Sequence, residues 1–366
     1  MTQARLLYIF SQPENHFTKR PMSEKIHLKS KAGLSVQRPI NNVAVFVRAA
    51  QQYGIDPREI LAGSGITMSE LNDPLRIITT AQEIMVGRKL AQRAPAPLSG
   101  LDLGQHHHLI SKGKLGMAAM CCEKALDALK MMLTYIDLAS SYFQYDLTVE
   151  GKKGCVRLKE LVSLDDFRLY VCETEVVSLY TICSMILDDA HVFNEMRFEY
   201  PAPDYADRYK EIFHCPVFFD APENIFIFDA AILERPLKHA NPLAKKVLEQ
   251  ECRQLCERFN ERATVQDKIR HELLFAKGDF PTLDQLTGRV NMPERTIRRK
   301  LALEGTSYKD ILSDIRKQKA LELIASGDCS MEKIASQLGY SEVAGFYHAF
   351  KTWTGTTPAN FRKKAS

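Results

Sequence analysis

The chain has 366 residues, 45% hydrophobic and 26% charged, with 49 Lys and Arg against 45 Asp and Glu for a formal net charge of +4. Its length suits two domains plus connecting segments, and its composition is that of ordinary soluble globular proteins. No apolar run approaches the roughly 18 residues a membrane span needs. The N-terminus lacks a basic region followed by an apolar core and cleavage site, and nine cysteines without a Cys-x-x-Cys pair fit reduced thiols, so a cytoplasmic protein is expected.

Residues 1–38 show little sustained periodicity and carry seven basic residues, Arg5, Lys19, Arg20, Lys25, Lys29, Lys31 and Arg38, against Glu14 and Glu24. This reads as a disordered leader able to add weak nonspecific affinity for nucleic acid, and Met22 is an alternative start. From Asn41 the pattern is helical. Val43, Phe46, Val47 and Ala50 mark a helix stopping at Gly54, and Asp56-Pro57 opens another through Leu61 toward Gly63. Thr80-Ala81-Gln82-Glu83 resembles a capping box ahead of Ile84, Val86 and Leu90, and further helices are expected over 98–105, 116–122 and 124–138.

Strand character then appears. Residues 141–149 and 155–161 are rich in aromatic and β-branched side chains around the turn-forming Glu150-Gly151-Lys152-Lys153-Gly154, which predicts a hairpin. A long helix over 168–188 and short strands over 195–200, 217–219 and 224–228 complete an α+β domain spanning 39–240. Residues 241–265 read as a helical linker.

The C-terminal part, 266–364, reads as two helix-turn-helix units, at 282–303 and 331–354. In the first, Leu283, Leu286 and Val290 form one stripe and Ile297 with Leu301 another, so two short helices bury those stripes against each other. Arg295, Arg298, Arg299 and Lys300 are left on the outer face, where guanidinium groups suit phosphates and guanine edges. In the second, Ile334-Ala335-Ser336-Gln337-Leu338-Gly339-Tyr340 supplies a small residue at a close helix crossing and a glycine for a positive-φ turn, with Phe346 and Phe350 at i, i+4 beyond it. Between the units, Tyr308, Ile311, Leu312, Ile315, Leu323 and Ile324 keep helical spacing. A helix of nearly twenty residues is about 30 Å long, close to the roughly 34 Å between major-groove faces one turn apart. Residues 280–366 hold 14 Lys and Arg against 9 Asp and Glu, net +5, while the first 279 sum to −1. That asymmetry suits counterion-release binding to phosphates, with Lys351, Arg362, Lys363 and Lys364 as sequence-independent contacts.

Those residues, followed by Gly355, Thr357-Pro358 and Phe361-Arg362, resemble the DNA-binding domain of the AraC/XylS family of bacterial transcription regulators. The Arg298-Arg299-Lys300-Leu301 and Glu304-Gly305-Thr306-Ser307 segments are similar to that family's first recognition helix and its exit turn. The resemblance implies a sequence-specific activator, nucleoid-associated when bound to promoter DNA, with each recognition helix in an adjacent major groove. It implies Arg295, Arg298 and Arg299 in the first groove and Glu342, Val343, Ala344, Tyr347 and His348 in the second, with Ile334, Ala335, Leu338, Gly339, Phe346, Phe350 and Pro358 holding the fold. His348 stands where the family commonly has Arg and is the weaker cation, so the first unit is expected to dominate specificity. The Tyr200-Pro201-Ala202-Pro203 segment, the helix after Tyr205 and Val217-Phe218-Phe219 resemble the branch with an arabinose-binding-like N-terminal domain. That implies a small-molecule effector of unspecified identity, dimerisation through the N-terminal domain, and RNA polymerase as a partner.

Other clusters carry less. His106-His107-His108 and Cys121-Cys122 lack zinc-ligand spacing, Cys252 and Cys256 read as core thiols, and Asp165-Asp166 and Asp188-Asp189 read as solvated caps. Without a Walker loop, a nucleophile elbow or a dinucleotide fingerprint, neither an enzyme nor a cofactor is indicated. A metal-sensing, redox-sensing or enzymatic N-terminal domain and a constitutive regulator without effector stay open as alternatives.

Overall fold

The computed structural model describes residues 26–30, 36–73, 75–94, 99–161, 164, 167–276, 279–326 and 329–365. Strict alternation along β4 (Phe143–Glu150) turns Phe143, Tyr145, Leu147 and Val149 inward, and a two-residue turn at Gly151 and Lys152 sends the chain back as β5 (Lys153–Glu160). Leu147 faces Val156 and Val149 faces Gly154, so the expected hairpin forms, with its second strand starting two residues early. Around it a six-stranded sheet has the order β1-β4-β5-β8-β6-β7, where β1 is Ile26–Lys29, β6 Glu195–Arg197, β7 Val217–Phe218 and β8 Asn224–Asp229. All neighbours are antiparallel except β6 and β7. The domain is α+β.

Helix α8 (Arg168–Leu187) packs on this sheet, burying Val171, Val176 and Val177 with Leu147, Val156, Phe226 and Phe228. By length and composition it could cross a membrane, because its few charged residues interrupt the apolar run without lowering its mean hydropathy far. Here it is a core helix. Its Glu173 accepts hydrogen bonds from the Tyr209 hydroxyl at 2.6 Å, the Tyr205 hydroxyl at 3.0 Å and the Gly100 N–H at 2.9 Å. The short helix α4 (Gly100–Gln105) crosses α8 so closely that a Cβ at Gly100 would lie 2.0 Å from the Tyr170 carbonyl oxygen, and one at Gly104 2.5 Å from Val177.

A second apolar cluster joins α1 (Asn41–Gln52), α2 (Pro57–Leu61) and α3 (Thr80–Arg93) through Val43, Phe46, Ile60, Val86 and Leu90. A third joins α5 (Gly113–Met120), α6 (Ala125–Thr134), α7 (Ile136–Ala139) and α10 (Pro242–Arg262). The single helix expected over 124–138 thus breaks at Tyr135. Helix α10, expected as a linker, is also a wall of this cluster, because Cys252 is fully buried among Leu115, Ala119 and Leu237.

The leader requires the largest correction. Residues 1–25 and 31–35 lie outside the described ones, but Ile26–Lys29 pairs with β4, and β2 (Gln37–Pro39) pairs with β3 (Ile77–Thr79). Arg38, counted among tail cations, is 1% exposed; its Nη1 donates to Glu83 Oε1 and the Ser140 carbonyl, both at 3.1 Å. Glu83, itself 0% exposed, also accepts from Asn42 at 3.2 Å and from the Tyr142 hydroxyl. Burial works against the Arg38 charge, yet the Glu83 carboxylate outweighs it and holds that guanidinium above its ordinary pKa. The capping box correspondingly sits one residue early: Thr79 Oγ1 accepts from the Gln82 N–H while Gln82 Oε1 accepts from Thr79, which frees Glu83 for the interior.

His107, 2% exposed, has its ring edge-on to Phe46 and no hydrogen bond to either ring nitrogen among the described residues. Burial, aided by Lys112, His106, His108 and Arg48, pushes its pKa well below the ordinary 6.5. The unfolded chain therefore binds a proton that the folded chain refuses. Stability present above pH 6.5 is expected to be lost as the pH falls below it, by at most about 1.4 kcal/mol per pH unit. Urea titrations at pH 7.5 and 5.5 should show a smaller loss in His107→Gln than in the parent; equal losses would show that His107 does not set this dependence.

Candidate nucleic-acid interface

In the first C-terminal unit Thr282 caps helix α12 (Leu283–Val290) through Gln285, and the chain turns at Asn291, whose φ of 51° a side-chain amide tolerates better than most groups. Pro293 then starts α13 (Glu294–Leu303). Ile297 and Leu301 are buried against Leu283, Leu286 and Val290, which turns Arg295, Arg298, Arg299 and Lys300 outward, all four exposed. Arg298 is held by Glu294 one turn back, Nη2 to Oε1 at 2.6 Å; on an exposed face such a pair is worth little and can open. Among the described residues no ion pair engages Arg295, Arg299 or Lys300. Glu304, at the exit of α13, accepts from the backbone N–H groups of Val265 at 3.1 Å and Gln266 at 2.7 Å, fixing helix α11 (Val265–Leu274) behind the unit.

The helix α14 (Tyr308–Ser326) has 19 residues, about 29 Å at 1.5 Å per residue. Its first half buries Ile311 and Ile315 in the first unit's core, and its second half buries Ala320 and Ile324 in the second unit's core. The two units therefore share one rod. Arg316, unremarked in the sequence, sits where they meet: its Nη2 donates to the Gly339 carbonyl at 3.2 Å, and its guanidinium lies 4.7 Å from the Tyr340 ring centre and 5.5 Å from that of Phe280. Trp353 adds an indole N–H bond to Ser313 at 2.9 Å. Arg316→Ala is expected to cost about 1 kcal/mol and to weaken protection of the DNA segment under the second unit more than that under the first. Footprinting with the full chain measures this, and equal weakening of both segments would remove the positioning role.

In the second unit Ser330 caps α15 (Met331–Gln337), Gly339 turns with φ of 71°, and α16 (Val343–Thr354) follows, with α17 (Pro358–Ala365) behind. A Cβ at Gly339 would also approach the Arg316 Nη2 to 3.1 Å. Ile334, Ala335, Leu338, Phe346 and Phe350 form the core, and Pro358 is buried beside it. Glu342, Ala344, His348 and Lys351 are exposed on the outer side. Val343 and Tyr347 are half-buried, because they also pack on the core. Arg362 is also tied to the fold: its Nη2 donates to the Cys329 carbonyl at 2.7 Å. The Lys363 and Lys364 side chains fall outside the described residues.

The remaining clusters are accounted for locally. Among the described residues no group of three His, Cys, Asp or Glu is arranged to hold a metal ion. Burial raises the thiol pKa of Cys122 to about 11 and of Cys252 to about 12, as expected of core thiols. Asp188 is a solvated cap, 83% exposed, but Asp189 pairs with Arg235 at 2.6 Å, a partner 46 residues away that adjacency could not reveal. Asp165 and Asp166 lie outside the described residues.

Residues 54–237 match the family described as the arabinose-binding domain of AraC transcription regulator, N-terminal, and residues 286–364 match a helix-turn-helix domain family. An ornithine utilization regulator of Pseudomonas aeruginosa is 27% identical over 339 residues, covering 90% of this chain and 99% of the relative. The transcriptional regulator VqsM of the same species is 28% identical over 277 residues, covering 72% and 83%. Among solved structures, the transcriptional regulator CdpR from Pseudomonas aeruginosa aligns with a TM-score of 0.44 at 22% identity, covering 88% of this chain and 96% of that one.

Proposed function

Because the chain belongs to the family of AraC transcription regulators with an arabinose-binding N-terminal domain, joined to a DNA-binding helix-turn-helix region, we propose that it is a sequence-specific activator answering to a small molecule held by its sheet-bearing part. The observation that carries this reading is the sharing of α14 by two helix-turn-helix cores; a rod of that length supports a reading in which α13 and α16 enter successive major grooves of one duplex. In this reading residues 39–240 sense, 241–265 connect and 266–364 bind DNA, although the burial of Cys252 ties the connecting helix to the sensing part.

Arg295, Arg298, Arg299 and Lys300 then read bases and phosphates in one groove. Glu342, Val343, Ala344, Tyr347 and His348 face the next, with Lys351 toward phosphate; Glu342, Ala344 and His348 have the freer access. The sensing part dimerises, RNA polymerase is the partner in activation, and the protein acts on the nucleoid in the bacterial cytoplasm. Genome-wide mapping of bound sites, paired with reporters from the neighbouring promoters, tests the proposal. Defined sites whose reporters lose output when the gene is deleted are expected. Reporters that gain output would reverse the sign of regulation, and a full chain that protects no defined site at moderate ionic strength would overturn the reading.

A further inference from the structure

Between the sheet, α6 and α8 lies a cavity of about 110 Å³, walled by Leu147, Val156, Phe228, Leu129, Met132 and Ile182 among other apolar side chains. Only one end is polar, where Lys112, Tyr145, Glu175 and Ser178 meet and the Tyr145 hydroxyl donates to Glu175. A second cavity of about 30 Å³ adjoins that end, sharing Lys112, Glu175 and Ser178 with the first. Glu83, His107, Ser140 and Tyr170 line it, and Glu83 Oε2, both ring nitrogens of His107, Ser140 Oγ and the Tyr170 hydroxyl make no hydrogen bond among the described residues. His107, Glu83 and Ser140 are each at least nine-tenths buried. Orphaned polar groups at such depth are uncommon and call for a partner.

The geometry points to a ligand site made of both cavities, taking a compact apolar molecule of roughly six to eight heavy atoms that ends in one uncharged hydrogen-bonding group such as a hydroxyl or carbonyl. Size follows from the two cavities taken together, which approach the roughly 150 Å³ of an apolar cavity that admits benzene. The apolar wall excludes a sugar, because hydroxyls on successive carbons would be buried with no partner beyond the polar end. Charge excludes an ionised head: the formal charges of Arg38 and Lys112 cancel those of Glu83 and Glu175, so an added ion would be buried uncompensated. A neutral head that both donates and accepts can instead meet His107, Tyr170 and Glu83. A name referring to arabinose therefore does not describe the chemistry of this site.

That such a ligand changes the affinity for promoter DNA rests on the effector reading above; the site itself does not. Calorimetric titration of the full chain with benzyl alcohol, benzoate, benzylamine, L-arabinose and L-ornithine tests it, with affinity for mapped promoter DNA measured in parallel. Benzyl alcohol is expected to bind at least tenfold more tightly than each of the others. Ala128→Leu, which pushes three carbons into the larger cavity, and His107→Phe, which removes both ring nitrogens from the smaller, are each expected to weaken benzyl alcohol at least tenfold while circular dichroism stays unchanged. If Ala128→Leu does not fold, Cys183→Leu serves in its place. Absence of binding, or binding indifferent to these substitutions, would mark the cavities as packing voids and overturn the inference. Preferential binding of arabinose or ornithine that changes DNA affinity would overturn the ligand class yet leave the effector reading standing.

Discussion

Replacing Glu83 with Ala is expected to destabilise the sheet-bearing part by about 3–5 kcal/mol, the cost of stripping one partner from a buried ion pair. Arg38 would keep a full charge at 1% exposure with, among the described residues, only the Ser140 carbonyl as a hydrogen-bond partner, and Asn42 Nδ2 and the Tyr142 hydroxyl would lose this acceptor. The Tyr142 ring, 4.8 Å from the guanidinium, cannot replace a carboxylate. The double change Arg38→Met with Glu83→Leu removes both desolvation penalties and is expected to recover most of the loss. Urea denaturation of the three chains checks this, and a Glu83→Ala variant within about 1 kcal/mol of the parent would refute it. The same pair sets where the chain tolerates trimming. Removal of residues 1–25 spares both β1 and Arg38, whereas removal of 1–38 is expected to cost at least as much as Glu83→Ala.

Arg299→Ala is expected to weaken binding to a mapped site by about 1–3 kcal/mol and to relax preference at one base pair, the signature of a lost bidentate guanine contact. A uniform loss on all sequences would assign Arg299 to phosphate instead. Arg298 must first release Glu294, so Arg298→Ala is expected to have the smaller effect, and Glu294→Ala to raise affinity slightly at low salt. On the second helix His348→Arg should add about one to the slope of log affinity against log salt, because His348 is exposed and an arginine there adds a permanent charge. Electrophoretic shifts across a salt series measure all four.

How much was legible depended on how far apart the cooperating residues lie. The hairpin at 143–160, the long helix on the sheet and both C-terminal units could be read, because turn glycines, caps and i, i+4 stripes act within about twenty residues of one another. The turn at Gly339 and the core residues Ile334, Leu338, Phe346 and Phe350 belong to that class. That Arg362 also anchors the fold was not legible, because its partner, the Cys329 carbonyl, is backbone 33 residues upstream and carries no sequence signal. Arg316 was passed over for the same reason: its rings, Phe280 and Tyr340, are distant on either side.

The amino-acid sequence by itself determined the C-terminal architecture and the basic outer face of α13, since helix periodicity and backbone conformation are local properties that each segment states alone. Only the tertiary structure decided that the residues before Asn41 contribute two strands and a buried cation, and that α14 belongs to two cores. Only it, too, brought Glu83, His107, Lys112, Tyr170 and Glu175 around the small cavity that adjoins the larger apolar one. Burying a charge or opening a cavity depends on the free energy of groups brought together from segments dozens of residues apart, and no single segment encodes that sum.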